Sequence, residues 1–260
     1  MSVIAITSRD NGFVKELRRL ARENNAYRRL GHVWLEGDHL CRAALARGLR
    51  PATAVFSESF WPQAPVQWSK EASKIVVLPD LLFAEISGLE SPAKMGYLLP
   101  WSGQDSVLRP SVPTLVLDRV QDAGNVGSML RSASAFGFQQ VLALAGTAGL
   151  WSQKVLRAGM GAHFGLHLVE SAQPQDLARL QLPVLATSSH QGQFLHQGSL
   201  PWPCAWAMGH EGQGVGAEVQ ALASHWVRIA QPGGEESLNV AAAAAICLHA
   251  SAVQATQQLG

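Results

Sequence analysis

The stretch from Ile229 to Ala250 constrains the fold of this chain more than any other. It passes from the end of an apolar strand into a Pro-Gly-Gly turn and then into a run of small apolar residues. Such a run predicts a buried helix. Glu235, Glu236 and Ser237 stand in its predicted first turn, where carboxylates favour the positive end of the helix dipole. A polar helix mouth behind a strand end indicates a ligand site of an α/β protein.

Composition supports a folded protein without a metal or a membrane span. Of the 260 residues, 47% are hydrophobic and 15% are charged, which is typical of globular chains. The amino terminus lacks the pattern of a secretion signal, and the apolar run Val240–Ala250 is too short to cross a membrane. The three cysteines are scattered, and the histidines have no metal-ligand spacing with them. We therefore expect a cytoplasmic protein with neither a disulfide framework nor a metal site.

A net charge of +1 conceals an excess of positive charge near the amino terminus. Residues 1–50 contain ten Lys and Arg against five Asp and Glu, and nine of the ten cations are Arg. A charge run is usually a solvated helix face, but arginine suits bidentate contacts with phosphate and the bias in sign favours nucleic acid as a partner. The cations expected to contact it are Arg9, Lys15, Arg18, Arg19, Arg22, Arg28 and Arg29.

Alternating strands and helices predict two α/β units. The segment Pro100–Pro113 carries three prolines and has no hydrophobic period, so it reads as a linker. We predict a small α/β unit over residues 1–100, a linker over 101–113 and a larger unit over 114–260. In the larger unit, apolar strands are predicted over 114–117, 141–144, 183–187, 204–208 and 226–229, and helices over 125–136, 153–158 and 217–223. Near-continuous apolar strands with helical crossovers predict a parallel sheet covered on both faces.

The first polar loop follows the predicted strand 114–117 and leads into a helix. Its glycine permits a tight turn, and Asn125 is expected to cap the helix. Arg131 stands a turn and a half further on, among apolar neighbours that indicate a largely buried helix. A buried arginine would need an anion. The ordinary alternatives are a plain helix cap for Asn125 and a surface or salt-bridge residue for Arg131.

The second polar loop, Gly209–Gly216, is rich in glycine, so its backbone can approach a ligand closely. Gly212, Gly214 and Ala217 match a dinucleotide-binding fingerprint, which raises a nicotinamide-dependent dehydrogenase as one hypothesis. That fingerprint should open the first βαβ unit, whereas here it stands near the carboxyl terminus. Glu211 would also repel a pyrophosphate, and it suits ribose hydroxyls or a cationic partner better.

Taken together, three segments resemble the motifs of the SpoU/TrmH family of RNA ribose 2′-O-methyltransferases, within the SPOUT superfamily. The first motif is similar to Asn125-Val-Gly127 followed by Arg131. The second and third match Gly209-His-Glu-Gly-Gln-Gly214 and Glu236-Ser-Leu-Asn-Val240, in the order of the family. The chain departs from the family at one point, because Ala-Gln follows Ile229 where Pro-Met is usual.

The resemblance implies a fold, a cofactor and a reaction. The fold would be a carboxyl-terminal SPOUT-type parallel sheet with a trefoil knot, joined to a small amino-terminal α/β substrate-binding domain, and the knotted domain would form a homodimer. The cofactor would be S-adenosylmethionine, whose methyl group passes to a ribose 2′-hydroxyl of RNA. Ribosomal RNA is the expected substrate and tRNA the second candidate. No metal is required.

The resemblance also implies roles for individual residues. Arg131 would act as the general base or would hold a phosphate and stabilise oxyanion charge; the second role avoids deprotonating a guanidinium. The catalytic set would be Arg131, Asn125, Glu211, Ser237 and Asn239. The cofactor would be bound by Thr187, Met208, Gly209, Glu211, Gly212, Gly214, Ile229, Gln231, Ser237, Leu238 and Asn239. The alternative, supported by the departure at Ala230 and Gln231, is a non-catalytic RNA-binding or ribosome-assembly factor on the same fold.

Overall fold

A computed structural model describes residues 3–89, 91–103, 107–188, 191–233 and 237–259, with side chains to residue 257. The chain divides into two units. The first contains the residues up to Ser102 together with the segment Trp151–Phe164, and the second contains Gly103–Leu150 and the residues from Gly165 onwards.

The first unit is built on a mixed sheet. Its strands are β1 (Val3–Ala5), β2 (His32–Glu36), β3 (Thr53–Ser57), β4 (Lys74–Leu78) and β5 (Met95–Pro100), in the order β1-β4-β3-β5-β2. The first three strands in this order run parallel, and β5 pairs antiparallel with both of its neighbours. The helices are α1 (Gly12–Arg22), α2 (Ala26–Leu30), α3 (Asp38–Ala46), α4 (Gln67–Lys70) and α5 (Asp80–Ile86), with a short 3₁₀ turn at Trp61–Gln63.

Helix α1 shows how the basic amino terminus still contributes to a core. Asn11 caps the helix by accepting a hydrogen bond from the backbone nitrogen of Phe13 at 2.9 Å. Val14, Leu17 and Leu20 recur at helical spacing and are buried. The arginines of α1 occupy the remaining faces of the helix, so one short segment provides both an apolar core face and a cationic surface.

Helix α7 (Gln153–Gly159) belongs to the first unit although its sequence lies inside the second. Leu156 is fully buried in the core of the first unit. Gln153 donates a hydrogen bond from Nε2 to the carbonyl oxygen of Trp34 at 2.6 Å. The sequence-based division, which assigned all of 114–260 to one unit, therefore differs from the structure in this segment. A division made along the sequence cannot detect an excursion whose apolar face packs on an earlier sheet.

The second unit is built on a parallel sheet, as the apolar strands predict. Its strands are β6 (Thr114–Leu117), β7 (Gln140–Leu144), β8 (His167–Ala172), β9 (Val184–Thr187), β10 (Gln193–Phe194), β11 (Ala205–Met208) and β12 (His225–Arg228). Their order is β10-β12-β9-β11-β6-β7-β8, and each of these pairs is parallel. Its helices are α6 (Ala123–Ala135), α8 (Ala217–Leu222) and α9 (Val240–Leu259), with a 3₁₀ turn at Pro174–Leu180. A further 3₁₀ turn, Ala162–Gly165, lies in the first unit up to Phe164.

The strand order places two loops side by side. Strand β11 lies between β6 and β9, and its last residue Met208 pairs with Leu117 at the end of β6. The chain leaves β6 toward β7 on one side, whereas β11 and β9 lie on the other side. The loops that follow β6 and β11 therefore meet at a switch point of a parallel sheet, which is where open α/β sheets bind ligands.

Helix α9 runs for 20 residues and packs against α6 and β11. Ala244, Cys247 and Leu248 are fully buried on it, and Trp206 donates from Nε1 to the hydroxyl of Ser251 at 2.9 Å. Within the described part of the chain, one helical stretch, Val240–Gln257, is long and apolar enough for a membrane span by length and composition alone. The expectation that this run is too short was wrong, because the helix continues well past Ala250. A helix packed in a protein core satisfies the same criterion.

Candidate functional site

A chain of side-chain hydrogen bonds joins the three polar segments. Asn125, in the first turn of α6, donates from Nδ2 to Oε1 of Glu211 at 3.2 Å. Asn239, ahead of α9, donates from Nδ2 to Oδ1 of Asn125 at 2.9 Å. The predicted catalytic residues Glu211, Asn125 and Asn239 are thus in direct contact although they come from three distant parts of the sequence.

The chemistry of Glu211 fixes the orientation of both amides. An ionised carboxylate only accepts hydrogen bonds, so the amide nitrogen of Asn125 must face it and the amide oxygen must face Asn239. The side-chain oxygen of Asn239 accepts from the backbone nitrogens of Ala241 at 2.9 Å and Ala242 at 3.1 Å. The beginning of α9 is therefore tied through two oriented amides to the glycine loop.

Backbone donors hold the Glu211 carboxylate at the beginning of α6. It accepts from the backbone nitrogens of Gln121 at 3.3 Å and Asp122 at 3.1 Å. Desolvation raises the pKa of this carboxyl, but hydrogen bonds from the backbone of Glu211 itself, from Asp122, from the Asn125 amide and from Gln121 outweigh it and hold the pKa below its ordinary value. Glu211 is thus a fixed negative charge across the neutral pH range.

The cap of α6 is Asp122, and the expectation that Asn125 caps this helix was wrong. Oδ1 of Asp122 accepts from the backbone nitrogen of Asn125 at 2.7 Å, and the helix begins at Ala123. Both residues are good caps and they are three apart, so the sequence does not decide between them. With the cap supplied by Asp122, the side chain of Asn125 is available to contact Glu211 and Asn239.

The beginning of α9 also differs from its prediction. The helix begins at Val240 and Asn239 accepts from its first turn, so Ser237 precedes the helix and does not stand in its first turn. The predicted first-turn carboxylates Glu235 and Glu236 lie outside the described residues. The shift leaves Ser237 and Leu238 as part of the wall of a cavity.

This cavity has a volume of about 420 Å³, within the range of small-molecule sites. It lies along the glycine loop and the segment leading to α9. Nine of the predicted cofactor residues line it: Thr187, Gly209, Glu211, Gly212, Gly214, Ile229, Gln231, Ser237 and Leu238. Two do not, because Met208 is fully buried at the end of β11 and Asn239 is turned to Asn125 and α9. Lining residues that the sequence-based prediction missed are Ser188, His210, Gln213, Val215, Gln220, Trp226, Val240 and Ala243.

Glycine is required where the loop closes on itself. A Cβ atom on Gly209 would lie 2.1 Å from the carbonyl carbon of Gly214, so a side chain cannot be accommodated. His210 and Gly214 exchange backbone hydrogen bonds of 3.0 and 2.8 Å. Gly214 has a φ of +68°, which glycine adopts without steric cost. The loop is a tight backbone turn that exposes main-chain groups along one side of the cavity.

Gln231 contributes an unpartnered acceptor to the cavity wall. Its Oε1 atom is buried and has no hydrogen-bond partner within the described structure. A buried acceptor without a partner costs free energy, so a ligand donor that reached it would be favoured. Gln231 stands where the sequence departs from the family motif, and the residues present fit a polar ligand that carries donors.

Arg131 lies on the exposed face of α6, and the prediction that it is buried was wrong. The buried face of the helix carries Val126, Met129, Leu130 and Ala133. At 100° per residue, Arg131 falls on the opposite face. Across the described residues, no hydrogen bond or ion pair joins Arg131 to Asn125, Glu211 or Asn239, so the structure does not connect it to the hydrogen-bonded chain.

Three of the predicted nucleic-acid contacts converge on one acidic residue. Arg9 and Arg18 each place an Nη2 atom 3.2 Å from the same carboxylate oxygen of Glu85. Arg22 donates from Nη2 to the backbone carbonyl of Glu85 at 2.9 Å. Two guanidinium groups thus share one carboxylate and a third binds the backbone of the same residue, so the cluster keeps a net positive charge.

The other four cations contact residues other than Glu85. Lys15 lies 3.1 Å from Asp10, and Glu23 pairs with both Arg19 and Arg29. The remaining one, Arg28, lies over the ring of Tyr27 and donates from Nε to its hydroxyl at 3.1 Å. Exposed pairs of this kind contribute little to stability and can exchange their partners.

The part of the chain that the structure describes contains no candidate metal site. Within the described ranges, no group of three or more His, Cys, Asp or Glu side chains is placed to hold a metal ion. Cys41, Cys204 and Cys247 are buried free thiols, and burial raises the pKa of each. These cysteines belong to the cores.

Known proteins with similar sequences are RNA methyltransferases. The model of the SpoU rRNA methylase family matches residues 113–249. A Synechocystis protein named as an uncharacterised tRNA/rRNA methyltransferase is 33% identical, with 95% of this chain and 93% of that protein covered. The 23S rRNA guanosine 2′-O-methyltransferase RlmP of Bacillus subtilis is 28% identical, with 83% and 86% covered.

Solved structures with the same fold carry similar descriptions. A TrmH-family RNA methyltransferase from Porphyromonas gingivalis matches with a TM-score of 0.78 and 31% identity, over 92% of this chain and 96% of that one. An AdoMet-bound rRNA methyltransferase from Sinorhizobium meliloti matches with a TM-score of 0.81 and 25% identity, over 96% and 97%.

Proposed function

Because the chain belongs to the SpoU rRNA methylase family, we propose that it is an RNA ribose 2′-O-methyltransferase that uses S-adenosylmethionine. One observation assigns the proposed function to specific residues. The side chains of Glu211, Asn125 and Asn239 are hydrogen-bonded in series beside a cavity of about 420 Å³. This membership also contradicts the dehydrogenase hypothesis, and the Gly212–Gly214 match to a dinucleotide fingerprint was misleading.

The cavity residues would hold the cofactor. S-adenosylmethionine supplies an electrophilic methyl group on a sulfonium sulfur. The turn around Gly209 and Gly214 would bring its backbone close to the cofactor, because these two residues carry no side chain. Gln231 would offer its unpartnered oxygen to a donor such as an exocyclic amine. Thr187, Ile229 and Leu238 would close the apolar walls.

Arg131 would act on the RNA. It is exposed, and across the described residues it has no ion pair, so its guanidinium is available to a phosphate. From there it would orient the adjacent ribose and stabilise negative charge on the 2′-oxygen as the hydroxyl proton passes to solvent water and the methyl group passes from the sulfonium sulfur to that oxygen. We prefer this role to that of a general base, because a guanidinium stays protonated in proteins. Ser237, which is exposed on the cavity wall, would help to orient the hydroxyl.

We further propose the trefoil knot and the homodimer that the family resemblance implies. Support for the knot comes from α9, whose small residues Ala241–Ala245 suit close passage past other segments, and from its packing on α6 and β11. Support for the dimer comes from Ile246 and Val253, which are 41% and 39% exposed on one face of α9. Exposed apolar residues in register on a helix are typical of an interface.

The first unit would bind the RNA. Its cluster of Arg9, Arg18 and Arg22 around Glu85 keeps a net positive charge suited to a phosphate backbone. The cations Lys15, Arg19, Arg28 and Arg29 would extend this surface. The names of the relatives favour ribosomal RNA as the substrate, with tRNA as the second candidate. The place of action would be the cytoplasm.

Methyl transfer from labelled S-adenosylmethionine to bulk RNA tests the function. We expect transfer by the wild type and by the control R50A. Arg50 is exposed, and in the described structure its only ion pair is with Glu71. R131A should lower kcat/KM about 100-fold, and R131K should retain part of the activity because it keeps the charge. Equal transfer by wild type and R131A would contradict the role of Arg131.

A second candidate function is that of a non-catalytic RNA-binding factor. Its support is the sequence at Ala230 and Gln231, which differs from the family motif. Calorimetric titration with S-adenosylmethionine separates the two functions. Saturable binding with a stoichiometry of one per chain supports the enzyme. Binding of RNA without any binding of S-adenosylmethionine would support the alternative.

A further inference from the structure

Arg119 adopts a backbone conformation that is unusual for its residue type. It lies two residues after the end of β6, and its φ of +59° lies in the left-handed region, where a side chain meets steric resistance and glycine does not. A glycine would satisfy the turn at lower cost. The contacts of the arginine side chain must therefore compensate for the strain.

The guanidinium of Arg119 bridges the end of β6 and the glycine loop. It donates from Nε to Oδ1 of Asp118 at 2.9 Å and from Nη2 to Oδ2 at 3.4 Å. It also donates from Nη1 to Oε1 of Gln213 at 3.3 Å, and Gln213 lines the proposed cofactor cavity. One side chain thus connects the segment that leads to Asn125 with the loop that carries Glu211.

Asp118 is the second part of this connection. It is only 2% exposed, and its Oδ2 atom also accepts from the backbone nitrogen of Gly216 at 2.6 Å. A buried carboxylate needs a cation and hydrogen bonds, and here Arg119 supplies the cation and Gly216 supplies a backbone donor. The Asp118–Arg119 pair therefore holds the glycine loop at Gln213 and at Gly216.

Two glycines leave room for the arginine. A Cβ atom on Gly216 would lie 2.7 Å from Nη2 of Arg119, and one on Gly146 would lie 3.3 Å from its Cγ. A larger residue at Gly216 would displace the guanidinium. The position of this side chain is thus determined by the backbone on two sides, which is unusual for a residue that is partly exposed.

We propose that Arg119 is a positioning residue that holds the loop Gly209–Gly216 in its cofactor-binding shape. The proposal rests on the proposed function for the identity of the ligand. Gln213 is two residues from Glu211, so a loop released at Gln213 changes the cavity wall and the placement of the carboxylate that orients Asn125. The guanidinium does not line the cavity, and its effect is on cofactor affinity through the loop.

R119G is the decisive variant, because glycine adopts the same φ and removes only the side chain. Calorimetry with S-adenosylmethionine should give about ten-fold weaker binding for R119G, an intermediate value for R119K, and no change for the control R50A. Saturating cofactor should hold the loop and Glu211 in their wild-type positions, so kcat should stay within about two-fold of wild type and the loss should appear in KM for the cofactor. Q213A should weaken binding less, and it should add nothing to R119G if the two side chains act as one unit.

Hydrogen exchange of the loop amides, measured without cofactor, separates this inference from the proposed function. Faster exchange at 209–216 in R119G together with weaker cofactor binding supports the proposal. Wild-type affinity in R119G, with or without faster exchange, overturns it, as does unchanged exchange. If the wild type itself binds no S-adenosylmethionine, the proposed function and the cofactor role of Arg119 both fail, whereas faster loop exchange would still show that Arg119 fixes the loop.

Discussion

Asn239 donates its side-chain N–H to Oδ1 of Asn125 at 2.9 Å, across 114 positions of sequence. The same Asn239 caps α9 through its other amide atom. The residue therefore combines a structural role, which any good cap could perform, with a contact that requires an amide nitrogen. These two roles can be separated by substitution.

N239S should remove the contact to Asn125 and keep the helix cap. Serine caps a helix about as well as asparagine, so the free energy of unfolding should change by less than about 0.5 kcal/mol. Methyl transfer should fall about ten-fold or more, because the oriented amide is lost. The measurements are thermal unfolding and transfer of labelled methyl groups to RNA.

N239A is the matched comparison for N239S. It removes both roles, so it should lose about 1 kcal/mol of stability in addition to the activity. Full activity in N239S would show that the contact between the two asparagines has no part in the reaction.

The lowered pKa of Glu211 predicts that affinity for the cofactor is lost only at acidic pH. Its folded-state pKa is lowered, so its contribution to the order of the site is fully present above the ordinary carboxyl pKa of about 4.3 and is lost as the pH falls through the lowered value. Affinity for S-adenosylmethionine should therefore be flat across the neutral range and should fall only at a pH below the ordinary carboxyl pKa. Calorimetry over this range, with thermal unfolding to confirm that the protein stays folded, provides the measurement.

E211Q is the control for that pH dependence. In either orientation of the new amide, its nitrogen would face an N–H group, either that of Gln121 or those of Asp122 and Asn125, so we expect weaker binding at neutral pH and no acid transition from this position. An identical acid transition in E211Q would assign the effect to another carboxylate.

The parallel sheet and the meeting of the three loops could be predicted from sequence because both depend on local patterns. The apolar run Thr114–Leu117 matches β6, and the motif residues end strands or begin helices that a parallel sheet brings to one edge. Strand β8 was missed because it is an edge strand with polar residues at Glu170 and Ser171, which interrupt the apolar run.

The helix cap and the exposure of Arg131 could not be predicted, because the sequence offers more than one residue or helix face that could fill the same role. Asp122 and Asn125 are both good caps, and only the contact with Glu211 shows which of them is free. The exposure of Arg131 depends on which face of α6 packs against its neighbours, and apolar residues nearby in sequence do not determine that face. A role for Arg119 could not be predicted, because a positive φ for arginine has no signal in composition or periodicity.

The exposed apolar residues Ile246 and Val253 of α9 predict that the protein forms a dimer. Ile246 and Val253 are seven residues apart on one face, so aspartate at both positions would place charges inside an apolar interface. Light scattering after gel filtration should show a dimer for wild type and a monomer for I246D/V253D. L222D is the control, since Leu222 is similarly exposed, at 38%, on α8. A monomeric wild type would contradict the proposed dimer.

The arginine cluster around Glu85 predicts how RNA affinity depends on salt. Each guanidinium that binds a phosphate displaces condensed cations, so each contact adds about one to the negative slope of log K against log salt. R9A and R18A should each weaken binding of a ribosomal RNA fragment and reduce this slope by about one. R50A, whose partner is Glu71, should change neither.

Substitution of Glu85 should change RNA affinity in the opposite direction. Its carboxylate occupies the two guanidinium groups that we expect to bind phosphate, and it competes with the incoming phosphate for them. E85Q keeps the size of the side chain and removes the charge, so RNA should bind several-fold more tightly at low salt and the slope should steepen. Fluorescence anisotropy with one RNA over a salt series measures both quantities for all variants. Weaker binding by E85Q would show that Glu85 organises the arginines for RNA, and the competition described here would then be wrong.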